Sequence, residues 1–377
     1  MARGLCNRKK TKPMKILILT NNLGGLHNFR KEVVQALIDD GHQLTISGPL
    51  DNNIQFFENV VCNFIPTQFN RKSTNPFNDI KLLFSYLRII RKTKPDAVLT
   101  YTIKPNIYGG MACRIMGKPQ LANITGLGTA VENEGKIQKL SILLYKIGLK
   151  KAHTVFFQNQ ANRDFCLSHG MVRGHHVLIP GSGVNLERHQ YQEYPPESPL
   201  RFVFISRLVK QKGIEHYLEA AEHIHQNHPN IEFHILGYCE GNYKDRLASL
   251  QERGIVTYHG RQMDVRPFLG MCHCVIHPSY YPEGMSNVLL ESCANGRPII
   301  TTDRPGCGEI VDDGFTGFVV RQRDTKDLIE KIEKFIILPY ETKKQMGVDA
   351  RKKVEKEFDR NIVVKAYLDE LEKLNKK

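Results

Sequence analysis

The chain has 377 residues, 41% hydrophobic and 24% charged, which exceeds one ordinary domain and excludes both a disordered and a low-complexity protein. The formal net charge of +14 is uneven: residues 1–200 carry +13 and residues 201–377 only +1. An excess of that kind points to an anionic partner surface, such as lipid head groups, nucleic acid or a phosphate-bearing substrate, with a merely well-solvated basic surface as the alternative.

Nine cysteines are scattered without a C-x-x-C pair. Cys272 and Cys274 form a lone C-x-C, so reduced, buried thiols in a cytosolic protein are expected and a zinc site is not. No apolar run approaches the ~18 residues of a membrane-spanning helix. Residues 1–13 are basic and lack the apolar core of a signal peptide, so they read as a disordered lead, with Met14 as a candidate natural start.

From there short apolar runs alternate with amphipathic segments. KILILT (15–20) is a strand, 28–40 a helix, LTISG (44–48) a strand, 80–92 a basic amphipathic helix and DAVLTY (96–101) a strand. A small-residue helix at 106–116, a strand at 120–126, a helix at 136–152 and a strand at 154–159 follow, and 177–185 closes the half. Residues 190–200, QYQEYPPESPL, are polar and proline-rich and read as a linker. The pattern then restarts, with strands at 202–206, 231–237, 255–260, 274–279, 298–302 and 317–320, and helices at 213–227, 247–252, 264–269, 285–295, 324–337 and 343–357. A last amphipathic helix covers 361–376. Strand–helix alternation of this spacing predicts parallel βαβ units: an α/β protein of two Rossmann-like lobes facing a cleft. The expected domains are 14–189, 201–357 and a terminal helix over 358–377.

Three stretches carry candidate chemistry. TNNLGGLHNFRKEV (20–33) follows the first strand, and Gly24 and Gly25 would let backbone amides approach an oxyanion. It is neither G-x-G-x-x-G nor a P-loop, and a plain strand-to-helix turn reads the same. His27 and Arg30 are candidate substrate contacts at the helix start. In SRLVKQKG (206–213), Arg207 and Lys212 flank the turn after the first strand of the second half, where open α/β sheets bind ligands, and two cations there suit a diphosphate. In YPEGMSNVLLE (281–291) the helix is expected to begin near Met285, leaving the amides of Met285, Ser286 and Asn287 to face a phosphate. Glu291 lies on an otherwise apolar face, where an ionised carboxylate needs a partner and vicinal hydroxyls would serve. Glu283 would hold sugar hydroxyls.

Arg207 through Lys212–Gly213, His277-Pro278-Ser279, Pro282-Glu283-Gly284 with Glu291 eight residues on, Gly296-Arg297-Pro298, and Glu309-Ile310-Val311 with Asp313-Gly314 resemble the family-4 glycosyltransferases. The first half, with NLGGLHNFR, TIKPNIYGG and NITGLG, resembles the branch that builds bacterial capsule, O-antigen and lipid-linked glycans, including N-acetylgalactosaminyl-type transferases acting on polyprenyl-diphosphate sugars. The resemblance implies a GT-B fold whose C-terminal helix crosses back to the first lobe. It also implies retaining transfer from a nucleotide-diphosphate sugar, a UDP-sugar by default, to a polyprenyl-diphosphate-linked acceptor. By that resemblance Arg207 and Lys212 neutralise the donor diphosphate, Glu283 holds the donor sugar, and Glu291 the ribose. The amides of Met285, Ser286 and Asn287, with Gly24 and Gly25, approach the donor, and Gly260, Arg261 and Asp264 cup the base.

Many members place histidines in the first lobe at positions occupied here by 102–104 and Thr125. Lys104, Asn106, Thr125 or His27 are the expected substitutes. No Asp-x-Asp occurs, so no metal and no cofactor are expected. The basic helices at 81–94 and 136–151 place cations beside apolar faces, suited to a peripheral position on the anionic inner face of the plasma membrane, or simply to packing on the sheet with lysines in water. No nucleic-acid motif is present, so no such partner is expected. The competing reading keeps the fold but changes the reaction, to a sugar-phosphate synthase or epimerase with a soluble acceptor.

Overall fold

The computed structural model describes residues 12–50, 54–59, 62–67, 75–132 and 134–376. Most of the expected basic lead therefore lies outside the described residues. The chain divides into two compact units. Unit 1 comprises residues up to Ser182, Glu283–Met285 and Arg360–Lys377, and unit 2 comprises Gly183–Pro282 and Ser286–Asp359.

In unit 1 the order is β1 (Lys15–Leu19), α1 (Leu23–Asp39), β2 (Gln43–Gly48), α2 (Ile54–Asn59), β3 (Asn63–Pro66), α3 (Pro76–Thr93) and β4 (Ala97–Tyr101). A π-helical turn, Pro105–Gly109, leads into α4 (Gly110–Ile115), then β5 (Gln120–Ile124), α5 (Thr129–Glu132), α6 (Lys136–Leu149), β6 (Thr154–Phe157), α7 (Gln160–Ser168) and β7 (His176–Leu178). The sheet is parallel in the order β3-β2-β1-β4-β5-β6-β7. Its central strands are mostly apolar and, apart from the exposed Lys15 that opens β1, buried end to end, as a parallel sheet covered on both faces requires. The winding direction reverses between β1 and β4.

Unit 2 runs β8 (Arg201–Ile205), α8 (Ile214–Asn227), β9 (Glu232–Leu236), α9 (Lys244–Glu252), β10 (Val256–Tyr258), α10 (Arg266–Met271) and β11 (Cys274–His277). It continues with α11 (Asn287–Ala294), β12 (Ile299–Thr302), β13 (Gly317–Val320), α12 (Thr325–Ile336) and α13 (Tyr340–Glu357). Its parallel sheet has the order β10-β9-β8-β11-β12-β13, and the reversal falls between β8 and β11.

The last helix, α14 (Arg360–Asn375), belongs to unit 1. Val363, Val364, Tyr367, Leu368 and Leu371 enter the apolar layer formed by α1, α2 and the sheet. Tyr367 stacks on Phe156 at 4.3 Å between ring centroids and accepts a hydrogen bond from Asn123 at 2.6 Å. Thr154 donates to Glu370, and Arg360 pairs with Glu32 at 2.8 Å. The crossing-back expected of the terminal helix is therefore present.

Residues 190–200 differ from the expected linker. Tyr194 is buried, its hydroxyl donates to the carbonyl of His273, and the buried Arg297 donates to the carbonyls of Gln192 and Glu193. The segment is a strap on unit 2, because two of its carbonyls join those of Leu269, Gly270 and Gly296 in satisfying a buried guanidinium. The described cysteines are free thiols. Tyr367→Ala should destabilise unit 1 by ~3–5 kcal/mol, read as an earlier urea transition, because it removes a buried aromatic ring and the partner of Asn123.

Candidate active site

The loops after β8 and β11 leave the carboxyl edge of the second sheet at its point of reversal, the position where open α/β sheets hold ligands. They are pressed together at Gly213, which has φ +82° and where a Cβ would lie 2.1 Å from the carbonyl oxygen of Pro278. Only glycine meets both demands. The amide of Tyr280 donates to Gln211, a second tie between the same loops.

This contact brings the aromatic ring of Tyr281 under two cations. The Lys212 ammonium lies 4.9 Å and the Arg207 guanidinium 5.7 Å from its centroid, distances suited to cation–π attraction. Burial, with the Arg207 charge beside it, brings Lys212 down to about 8. At neutral pH it still carries its proton. The adjacent His277 is fully buried, and burial and then the Lys212 charge push its pKa well down, so its ring is neutral. Arg207 is half-exposed and pairs with Glu240 at 3.1 Å. Two cations are thus fixed at one strand edge, and desolvation makes the inner one a stronger partner for an anion than a surface lysine.

Helix α11 begins at Asn287, two residues later than expected, with Ser286 as its N-cap. The Ser286 amide donates to the carbonyl of Gly306 at 2.8 Å, so it is not available to a phosphate as expected. The amides at the helix start are those of Asn287, Val288 and Leu289, since Leu290 already bonds back to Ser286. Glu291 is half-buried, and His189 Nε2 lies 3.9 Å from its carboxylate. His189 also meets Asn295. The base-cupping group is partly engaged: Asp264 is gripped by Arg266 at 2.6 Å, which holds its carboxyl down to about 2.

Glu283 to Met285 belong to unit 1, not to the second domain as expected. The Asn159 side-chain amide donates to the carbonyls of Glu283 and Gly284, and Asn162 donates to Glu283 as well. A Cβ on Gly284 would lie 2.5 Å from the Thr125 carbonyl, so that turn closes on the loops after β5 and β6. Met285 packs on Gly181.

The other candidates in unit 1 separate by burial. Gly24 and Gly25 are not a turn ahead of a helix but the first turn of α1 itself, whose N-cap is Asn22. The burial of Leu23 and Leu26 starts the helix earlier than glycine propensity would. Arg30 is buried, 5.9 Å from the Tyr101 ring and bonded to the Phe29 carbonyl, so it is a core residue and not a surface contact. Asn106 is buried, accepts from Thr100 and donates to the Asn123 carbonyl. Lys104 is held by Asp79 at 2.8 Å. His27 meets Phe56 edge to face at 4.7 Å. Thr125 is half-buried beside Gly284. Two residues before Lys104, Thr102 has φ +74°, rare for a β-branched residue and a mark of strain in the loop after β4. Sequence reasoning missed Tyr281 and His189. A tyrosine following the His277-Pro278-Ser279 strand end was the available signal for the first, and none existed for the second.

Residues 15–159 match the glycosyl transferase 4-like family and residues 187–353 match the glycosyl transferases group 1 family. The chain is a glycosyltransferase composed of these two domains. It is 25% identical to the N,N'-diacetylbacillosaminyl-diphospho-undecaprenol alpha-1,3-N-acetylgalactosaminyltransferase of Campylobacter jejuni, over 94% of this chain and 97% of that one. It is 26% identical to the UDP-Gal:alpha-D-GlcNAc-diphosphoundecaprenol alpha-1,3-galactosyltransferase of Escherichia coli, over 76% and 77%. Among solved structures, a glycosyltransferase from Rickettsia africae superposes with a TM-score of 0.80 at 22% identity, covering 96% of this chain and 99% of that one. HepE of Anabaena, in complex with UDP and glucose, gives 0.77 at 18%, covering 95% and 99%. These likenesses show the GT-B fold.

The Lys212 ammonium, followed by NMR of the reductively methylated protein, should titrate near 8 and not near the ordinary 10.5. Arg207→Ala should move that midpoint upward, because a neighbouring positive charge is removed.

Proposed function

We propose that this chain is a retaining transferase that moves a hexosamine or related sugar from a UDP-sugar to a polyprenyl-diphosphate-linked glycan during bacterial surface polysaccharide synthesis. The observation that carries the reading is the pair of cations, Arg207 and Lys212, fixed over Tyr281 at the reversal point of the second sheet. The relatives' names support the substrate classes: two act on undecaprenol-diphosphate-linked sugars, and a structural neighbour holds UDP and glucose.

In this reading the donor diphosphate lies against Arg207, Lys212 and the amino end of α11. As the glycosidic bond to the diphosphate breaks, negative charge accumulates on the leaving oxygen. Cations already fixed there stabilise that state more than the ground state, with no reorganisation. Glu291 accepts hydrogen bonds from the ribose hydroxyls, and Glu283 holds the donor sugar. The sugar is attacked from the face the diphosphate leaves, and the departing phosphate takes the acceptor proton. The cationic pair suits a diphosphate directly, and the reaction is proposed to need no metal. Among the described residues no helix is long and apolar enough to cross a membrane, and a peripheral site on the inner face of the plasma membrane fits a lipid-linked acceptor.

A panel of nucleotide sugars, assayed for released nucleoside diphosphate, should single out a UDP-hexosamine, with turnover raised by a polyprenyl-diphosphate sugar and unchanged by EDTA. Lys212→Ala should lower kcat/KM by on the order of 10²–10³, and Glu291→Ala by about 10- to 100-fold, through loss of hydrogen bonds to a charged acceptor. Turnover confined to a soluble sugar phosphate would replace this reading with the sugar-phosphate synthase one.

A further inference from the structure

The two basic helices of unit 1 are not simply packed on the sheet with their lysines in water. α3 buries Leu82, Tyr86, Ile89 and Ile90, yet Phe77, Ile80 and Phe84 on its opposite side are 74%, 51% and 61% exposed. Their spacing of three and four residues puts them on one helical face, which Arg88 and Arg91 continue. α6 repeats the arrangement. It buries Ile142, Tyr145 and Leu149 and exposes Ile137, Leu140 and Leu143, flanked by the exposed Lys136 and Lys139. α4 packs against both helices, so the two faces belong to one layer of unit 1.

Their position along the helices is informative. In a parallel sheet each connecting helix runs back against the strands, so its amino-terminal half lies at the strands' carboxyl edge. Five of the six exposed apolar residues fall in the amino-terminal halves of α3 and α6, and the sixth, Leu143, lies one residue past the midpoint of α6. They therefore collect at the edge of unit 1 where the loops after β1 and β4 emerge, the edge at which such sheets place ligands. Exposed phenylalanines and aliphatics grouped in this way mark a surface that meets something apolar. The charge decides what. α6 carries three lysines and no acid, and the single acid of α3, Asp79, is bound to Lys104 and Tyr108. A second copy of this chain would present like charge to like charge, whereas an anionic bilayer supplies both an apolar layer and opposite charge.

We infer that the amino-terminal halves of α3 and α6 form one membrane-seating face: the six apolar side chains enter the acyl boundary of an anionic bilayer, and the flanking cations meet its phosphates. The inference rests on the proposed lipid-linked acceptor and adds which surface delivers the enzyme to it. It sets the carboxyl edge of the first sheet, not its basic surface in general, at the lipid.

Full-length protein is sedimented with vesicles of phosphatidylglycerol and phosphatidylcholine, and separately with phosphatidylcholine alone. Two triple variants are compared with wild type: Phe77→Ser with Ile80→Ser and Phe84→Ser, and Ile137→Ser with Leu140→Ser and Leu143→Ser. All six positions are exposed, so unchanged thermal unfolding and UDP binding are expected in both. Each triple should weaken binding to the anionic vesicles at least about tenfold. Arg88→Glu with Lys139→Glu, which leaves the apolar residues in place, should weaken it as well and make the remaining binding less sensitive to salt than the wild type's. Anionic-vesicle binding that survives both triples overturns the inference, as does a wild-type dimer that the triples dissociate. Failure of wild type to bind UDP counts instead against the donor reaction, and the vesicle comparison is still read on its own.

Discussion

At Gly213 the backbone passes so close to Pro278 that no side chain fits, and the left-handed φ suits glycine as well. On that approach depends everything chemical in unit 2. It locks the loop after β8 to the loop after β11, at the one place in the sheet where winding reverses and helices on neighbouring strands diverge. The opening so created would be merely a gap if its rim were neutral. Here it holds a guanidinium and a half-desolvated ammonium over a tyrosine ring, with a buried neutral imidazole behind them. A positive site held rigid by backbone contact stabilises developing negative charge without first rearranging, which is what departure of a diphosphate demands.

The two units use charge differently. Unit 2 is nearly neutral overall and concentrates its positive potential at a strand edge. About half of the excess charge of the first 200 residues lies on α3 and α6, which also expose phenylalanine, isoleucine and leucine. A single diphosphate needs two or three fixed partners, whereas a lipid surface is met by many weak ones. The asymmetry in the sequence is thus two devices, each suited to one substrate of the proposed reaction.

The apolar strands were legible because a strand buried on both faces must be nearly all apolar, and KILIL, AVLTY and FVFI satisfy that without help from context. α2, β3 and α7 were not: each is short, and IQFFEN and QANRDFCLS have no clear period of either kind. Arg207 and Lys212 could be singled out because their positions follow from a strand end, and Glu291 because it interrupts an otherwise apolar helix face. The surroundings of Arg30 and Asn106 could not be read, since Arg30 lies against Tyr101 and Asn106 is bonded to Thr100 and the strand carbonyl of Asn123. No local pattern announces such partners. For the same reason the Ser286 amide looked available, although the Gly306 carbonyl, on a separate loop, already takes it.

The central claim is that Arg207 and Lys212 together hold a diphosphate. Calorimetric affinities for UDP and for uridine, measured on the wild type and on Lys212→Ala, test it directly. The account predicts that the wild type prefers UDP strongly and that the substitution removes most of that preference while leaving uridine affinity nearly unchanged. An unaltered ratio of the two affinities in the variant would contradict it.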